Sequence, residues 1–342
     1  MIKKRWGYAL LGAVVATSLV GISKSGFAKE DQKSNRAQDT AYVNVSVATI
    51  WGEPDNLRDI DEPSAAEVVD PWRWTESMTL DDKLWLVGKL ETQAVYGQKV
   101  TVLEEDGEWV KVAVDGQSTP KEELGYPGWM PKRQLTENPT LAYMDHQPDG
   151  YVTAPTANLY NDWGLEQEYL EVSYNTILPV LHEGEGRALL LTPDDGAKWV
   201  DSDDVNVYEN EEAIPAPEAE DLIEDGKQFL GLPYLWAGVS GFGFDCSGFT
   251  HSLYKAHGIE IPRDSGDQAK AGTFVEREDW QTGDLLFFAR DGGTGTVHHV
   301  GMYIGDGEMI HAPNSAKTVE IVNVNDFDYT NGYHSARRYL ED

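Results

Sequence analysis

The sequence predicts two small, consecutive all-β barrels followed by one α+β domain, and three observations carry that expectation. From about Ala41 to Tyr208 the chain reads as short strands and turns, and one order of segments occurs twice. A Pro-containing linker, Ala213-Ile-Pro-Ala-Pro-Glu218, then marks a switch to helical spacing of the apolar residues. At 342 residues the chain also exceeds what one ordinary core organises.

Taken in order, residues 1–28 are expected to be an export signal. Lys3, Lys4 and Arg5 precede an apolar run from Trp6 to Ile22, and Gly26-Phe27-Ala28 offers small residues before a cleavage point at Lys29. The alternative for this stretch is a permanent N-terminal anchor; no other stretch is long and apolar enough to span a bilayer. The first barrel is placed at 40–138. In it, Val100-Thr-Val-Leu103 leads through Glu104-Glu-Asp-Gly107 into the alternating Trp109-Val-Lys-Val-Ala-Val114. Gly125-Tyr-Pro-Gly128 is expected to turn the chain into Trp129-Met130. An insertion at about 56–84, with Trp72 and Trp74, is expected to pack over this barrel. The second barrel, 139–212, repeats the order more loosely: Leu178–Leu181, a turn at His182–Gly186, Ala188–Leu191, then Lys198-Trp-Val200.

The third domain, 213–342, opens with a helix bearing Ala219, Leu222, Ile223, Phe229 and Leu230, stopped by Gly231 and Pro233. A Gly-rich loop, Gly238–Phe244, precedes Asp245-Cys246-Ser247-Gly248 and a second helix that Gly258 should cap. Asp284–Ala289 and Val297–Ile304 are strand-like.

Charge and cysteine usage narrow the function. With 27 basic and 59 acidic residues the net charge is −32, which would repel nucleic acid and anionic membranes, so neither is an expected partner. One cysteine excludes intramolecular disulfides and Cys-based structural zinc. In an exported protein, where cysteines usually pair, a lone Cys246 points to chance or to a thiol used as such. Asp245 is placed to cap a helix beginning near Cys246, where the helix dipole and free backbone N–H groups favour thiolate and could stabilise an oxyanion. The plainer alternative is a small buried apolar cysteine.

A cysteine nucleophile needs a base. His299 and His311 each lie six residues from Gly305, so a tight hairpin centred there puts them opposite one another on one sheet face, with His298 on the other. His299 can then take the thiol proton while His311 fixes its tautomer; a bulge would disturb the register. A zinc site on the two histidines lacks an evident third ligand, and two histidines packing on a polar face is the bland alternative. The Gly238–Gly243 loop lacks Lys-Ser/Thr for a phosphate cradle, and there is no G-x-S-x-G elbow.

Tyr234-Leu-Trp-Ala-Gly238, Phe244-Asp-Cys-Ser-Gly-Phe249, Pro262-Arg-Asp-Ser265 with Gln268, Gly283-Asp284, His299-Val-Gly-Met-Tyr303 and His311-Ala312 together resemble the NlpC/p60 cell-wall peptidases. The two barrels look like bacterial SH3 domains, and the domain order resembles members that cleave γ-D-glutamyl–diamino-acid bonds. The resemblance implies a papain-like third domain with Cys246, His299 and His311 as triad and no cofactor or metal. It implies a murein peptide substrate, L-Ala-γ-D-Glu-diamino acid, the last being diaminopimelate or lysine. Ser247, Asp264 and Ser265 would line the acyl side of the cleft. Glu91, Tyr126 and Asp245 would receive the free L-Ala amine, walled in by the first SH3-like unit. The expected protein is a monomer, secreted or wall-associated, without stable membrane association once the signal is removed. The alternatives are a hydrolase of intact cross-linked wall with SH3-like binding modules, and a non-catalytic wall-binding protein.

Overall fold

The structure, a computed structural model, describes residues 40–144, 146–326 and 332–340. The expected export signal lies outside the described residues. Among the described residues no helix is long and apolar enough to cross a membrane.

The first barrel comprises β1 (Thr40–Val43), β2 (Val47–Trp51), β3 (Leu90–Val95), β4 (Lys99–Asp106), β5 (Trp109–Val114), β6 (Tyr126–Pro131) and β7 (Leu135–Thr136). Their order in the sheet is β3-β2-β6-β5-β4-β1-β7. The second comprises β8 (Asp149–Val152), β9 (Thr156–Tyr160), β10 (Glu168–Ser173), β11 (Ile177–Gly184), β12 (Arg187–Leu191), β13 (Ala197–Asp201) and β14 (Val205–Tyr208). Its order, β10-β9-β13-β12-β11-β8-β14, is the first with every strand number raised by seven. The loose repeat in sequence is therefore a full repeat in topology. Each barrel has its own apolar centre: Val43, Ile50, Val100, Val112 and Met130 in one, Leu159, Val172, Leu178, Leu190 and Val200 in the other.

One local expectation changes. Gly125-Tyr-Pro-Gly128 is not a turn, because Tyr126, Pro127 and Gly128 already pair with Val114, Ala113 and Val112. The turn precedes it and ends at Gly125, whose φ of +131° suits glycine.

The insertion between β2 and β3 forms three short helices, α1 (Glu62–Ala65), α2 (Pro71–Ser77) and α3 (Leu80–Trp85). Asp70 caps α2 by accepting from the Arg73 N–H, and Pro71 fits the first helical position, where no N–H is needed. Trp74, 1% exposed, donates to Asp61 Oδ1 at 3.0 Å, and Arg58 holds the same carboxylate. Its ring joins Trp51, Trp109 and Trp129 of the barrel and Leu235 and Ala237 of the third domain in one cluster. Trp72 donates to Glu171 of the second barrel and meets Phe242 of the third domain edge-on, centroids 5.2 Å apart. The insertion thus ties all three units together. Trp74→Ala is expected to lower unfolding stability by about 3–5 kcal/mol, from lost burial plus the cavity. A denaturation midpoint unchanged from wild type would contradict this.

The third domain contains α4 (Ala219–Gln228), the ribbon β15 (Val239–Ser240) and β16 (Gly243–Phe244), α5 (Cys246–Ala256) and α6 (Ser265–Gln268). An antiparallel sheet follows: β17 (Thr273–Val275), β18 (Leu285–Ala289), β19 (Val297–Gly305), β20 (Glu308–His311), β21 (Glu320–Asn323) and β22 (Tyr333–Arg338), in the order β17-β22-β18-β19-β20-β21. Phe249 and Leu253 of α5 pack with Leu285, Phe287, Val300, Met302 and Ile310, so the helix covers one sheet face. The Gly-rich stretch is the β15–β16 ribbon, pressed on the second barrel. A Cβ on Gly241 would stand 1.8 Å from the Pro155 carbonyl oxygen, so only glycine fits there.

Candidate active site

Cys246 is the first residue of α5, and Asp245 is its N-cap, accepting from the Gly248 N–H at 2.6 Å. The thiol sulfur accepts from the backbone N–H groups of Ser247 and Val300, the latter next to His299 on β19. Burial, then the Asp245 carboxylate, push the thiol up to about 12, against the weaker pull of those N–H groups and Arg263. This corrects the expectation of a partly ionised thiol: the helix terminus is present, but desolvation outweighs it. Burial likewise holds His299 well below the usual histidine range, and His311 is lowered to about 4. The resting site therefore favours a neutral thiol beside neutral imidazoles.

The histidine pair forms, though not by the expected register. Met302 pairs with Ile310 and Tyr303 with Met309, and a bulge then sets Gly305 against Glu308. Turn position and bulge together displace the pairing by a net two residues from a hairpin centred on Gly305, which preserves the face: His299 and His311 become diagonal neighbours, with Gly301 between them. A Cβ at Gly301 would lie 3.2 Å from His311 Cβ and 2.8 Å from Met309 Sδ. With no side chain there, the rings close to 2.7 Å between His299 Nε2 and His311 Nδ1. His298 is exposed, on the opposite face.

Beyond the pair, the other His311 nitrogen, Nε2, lies 3.7 Å from Glu320 Oε1 on the next strand, His311 and Glu320 being cross-strand partners. The tautomers follow from these partners. A carboxylate beside Nε2 favours the proton there, which leaves His311 Nδ1 to accept from His299 Nε2–H. His299 Nδ1 is then the ring nitrogen that carries the basic lone pair.

The residues expected on the acyl side fall into two groups. Arg263, 1% exposed, grips Asp245 with two guanidinium nitrogens at 3.1 and 2.9 Å, donates to Ser247 Oγ at 3.1 Å and reaches Thr92 of β3 at 3.1 Å. Asp245 thus meets a cation of the chain itself. In the second group, Tyr126 of β6 donates to Asp264 Oδ2 at 2.8 Å, across from the first barrel to the third domain. Burial pushes the Tyr126 phenol upward, so it stays a donor. Lys121 completes the group, its ammonium 2.7 Å from Glu91 Oε2 and 2.6 Å from the Tyr126 hydroxyl. Ser265 opens α6 beside Asp264.

Three residues here were not singled out from sequence. Arg263 lies inside the Pro262-Arg-Asp-Ser265 motif and carried a signal; Glu320 and Lys121 reach the site only through tertiary placement. Among the described residues no group of three His, Cys, Asp or Glu side chains is arranged to hold a metal ion.

Matches to known families fall in each of the three domains. Residues 231–338 match the NlpC/P60 family, 152–208 the YKFC SH3b2 domain, and 88–135 the bacterial dipeptidyl-peptidase Sh3 domain. A Bacillus cereus protein named gamma-D-glutamyl-L-lysine dipeptidyl-peptidase is 52% identical over 332 residues, 96% of this chain and 99% of its own length. A Bacillus subtilis protein of the same name is 42% identical, over 86% of this chain and 97% of its own. The crystal structure of an NlpC/P60 family protein from B. cereus superposes with a TM-score of 0.86 at 55% identity, covering 89% of this chain and all of that one.

Proposed function

The chain belongs to the NlpC/P60 family of cysteine peptidases, and from that premise we propose that it hydrolyses the amide between the γ-carboxyl of D-Glu and L-lysine or diaminopimelate in murein peptides with a free N-terminal L-Ala. The observation that supports the reading is the Tyr126–Asp264 hydrogen bond, which ties the first barrel to a residue read as lining the acyl side of the cleft. A module serving only to hold the enzyme on the wall would not need to build the cleft.

In the proposed reaction Cys246 Sγ attacks the γ-carbonyl carbon while its proton passes to His299 Nδ1. The carbonyl oxygen, now negative, faces the N–H groups at the start of α5. The carbon–nitrogen bond breaks, and the departing amine takes the proton from His299. Water then attacks the thioester, gives a proton to His299, and Cys246 regains it as the acyl group leaves. His311 orients His299 throughout. Glu91 and Tyr126 bind the L-Ala ammonium, Asp245 adds a carboxylate shared with Arg263, and Ser247, Asp264 and Ser265 line the D-Glu side. Residues 1–28 export the protein, which works as a secreted or wall-associated monomer in murein peptide turnover.

Lowered histidines set the expected pH dependence. An imidazole held below its ordinary value stays neutral where a free one would be protonated, and loses its lone pair only as pH falls through the lowered value. kcat/KM is therefore expected to change little as pH is lowered from about 7 through the ordinary histidine value of about 6.5, and to fall only at more acidic pH. A half-maximal point at about 6.5, the ordinary histidine value, would contradict a buried neutral base.

The proposal is tested by incubating purified protein with L-Ala-γ-D-Glu-L-Lys and its diaminopimelate counterpart and weighing the products. L-Ala-γ-D-Glu plus free diamino acid is expected. Efficient clearing of intact sacculi without action on these peptides would make the protein a wall hydrolase instead.

A further inference from the structure

The subsite read as binding the substrate's ammonium already holds an ammonium. Lys121 Nζ lies 2.7 Å from Glu91 Oε2, 2.6 Å from the Tyr126 hydroxyl and 4.0 Å from Asp264 Oδ2, and stands 4.4 Å from the Tyr126 ring centroid. These are the contacts a peptide's N-terminal amine would be expected to make. The supporting loop is firmly tied at its root. Gln117 is buried and donates to Gln93 O at 2.7 Å, and the Ser118 carbonyl accepts from the Arg263 N–H at 3.1 Å. Its tip is a small turn closed by the Thr119–Glu122 bridge. The Lys121 side chain remains 44% exposed and its four-carbon stem can swing to solvent without moving the loop.

We propose that Lys121 is a specificity-determining residue that acts as a tethered competitor for the ammonium subsite, displaced when a free-amine peptide binds. The inference rests on the substrate reading above and adds to it a resting occupant of the subsite. Physically, without substrate the Glu91 and Asp264 carboxylates would face one another across the Tyr126 hydroxyl with no cation between them. Lys121 supplies that cation. An incoming ammonium replaces it charge for charge, whereas an N-acylated peptide brings no cation and finds the subsite closed. The lysine therefore raises KM for the proper substrate in exchange for a subsite that opens only to a cation.

The test is a steady-state comparison of the full-length enzyme with its Lys121→Met and Lys121→Arg variants on L-Ala-γ-D-Glu-L-Lys. Methionine keeps the length and removes the charge. KM is expected to fall roughly three- to tenfold with kcat within about twofold, the size of a partly exposed ion pair reinforced by one hydrogen bond. Arginine retains a cation and is expected to leave KM near wild type. An unchanged KM in Lys121→Met would overturn the inference. So would a raised KM, which would mean that Lys121 instead holds a carboxylate of the substrate. Failure of the underlying substrate reading is seen separately, as equal use of free-amine and N-acetylated peptide by the unaltered enzyme.

Discussion

His299→Ala is expected to lower kcat/KM by about a thousandfold or more, while His298→Ala stays within a few-fold of wild type. Both are histidines on one strand, one residue apart, so composition and local propensity do not separate them. Their faces do. His299 is buried and 2.7 Å from His311, whereas His298 is exposed on the opposite side of the sheet. Without His299 the Cys246 proton, held tightly by burial, has no acceptor. His311→Asn should lose less, about tenfold to a hundredfold, because an amide oxygen can still accept from His299 Nε2–H. Kinetics of the three variants on one defined peptide check this. Equal damage at 298 and 299 would mean that the proposed base is wrong.

N-acetylation of the substrate's L-Ala is expected to reduce kcat/KM by about a hundredfold or more. An acetylated peptide that enters must displace Lys121 without replacing its charge, and a carboxylate left unpaired in a closed site costs roughly 3–5 kcal/mol by analogy with broken buried ion pairs, each 1.36 kcal/mol being tenfold. Glu91 is 29% exposed, so its own share of this penalty is partly screened by water, and the steric closure by the first barrel supplies the rest. Glu91→Gln should therefore narrow the preference without erasing it. Comparable kcat/KM values for the free and acetylated peptides would remove the closed subsite and return the first barrel to a wall-binding role.

What could be read from the sequence was what local pattern encodes. The alternation in Trp109–Val114 marked a strand that the structure places at those residues, and Asp245 before Cys246 marked the start of a helix. The two-fold parity of a hairpin put His299 and His311 on one face even though their pairing is displaced, because a net displacement of two residues keeps the face. The hidden features depend on segments far apart in the chain. Arg263 reaches Thr92 and Lys121 reaches Asp264 only because the first barrel docks on the third domain, and no spacing rule spans such separations. The insertion gave no period to follow, since its tryptophans each serve a different neighbour: Trp72 the second barrel and third domain, Trp74 the first barrel and third domain. Thiol ionisation was misjudged for the same reason. Local sequence showed the helix terminus, but the depth of burial comes from the packing of α5 on β19.

The most direct test of the proposed chemistry is a rapid acid quench of enzyme mixed with excess L-Ala-γ-D-Glu-L-Lys, followed by intact mass and peptide mapping. A thioester of L-Ala-γ-D-Glu on Cys246, formed as free lysine is released, is the expected result, because it identifies nucleophile, acyl group and scissile bond together. Lysine release that persists in Cys246→Ala, or an acyl group of any other composition on the enzyme, would contradict it.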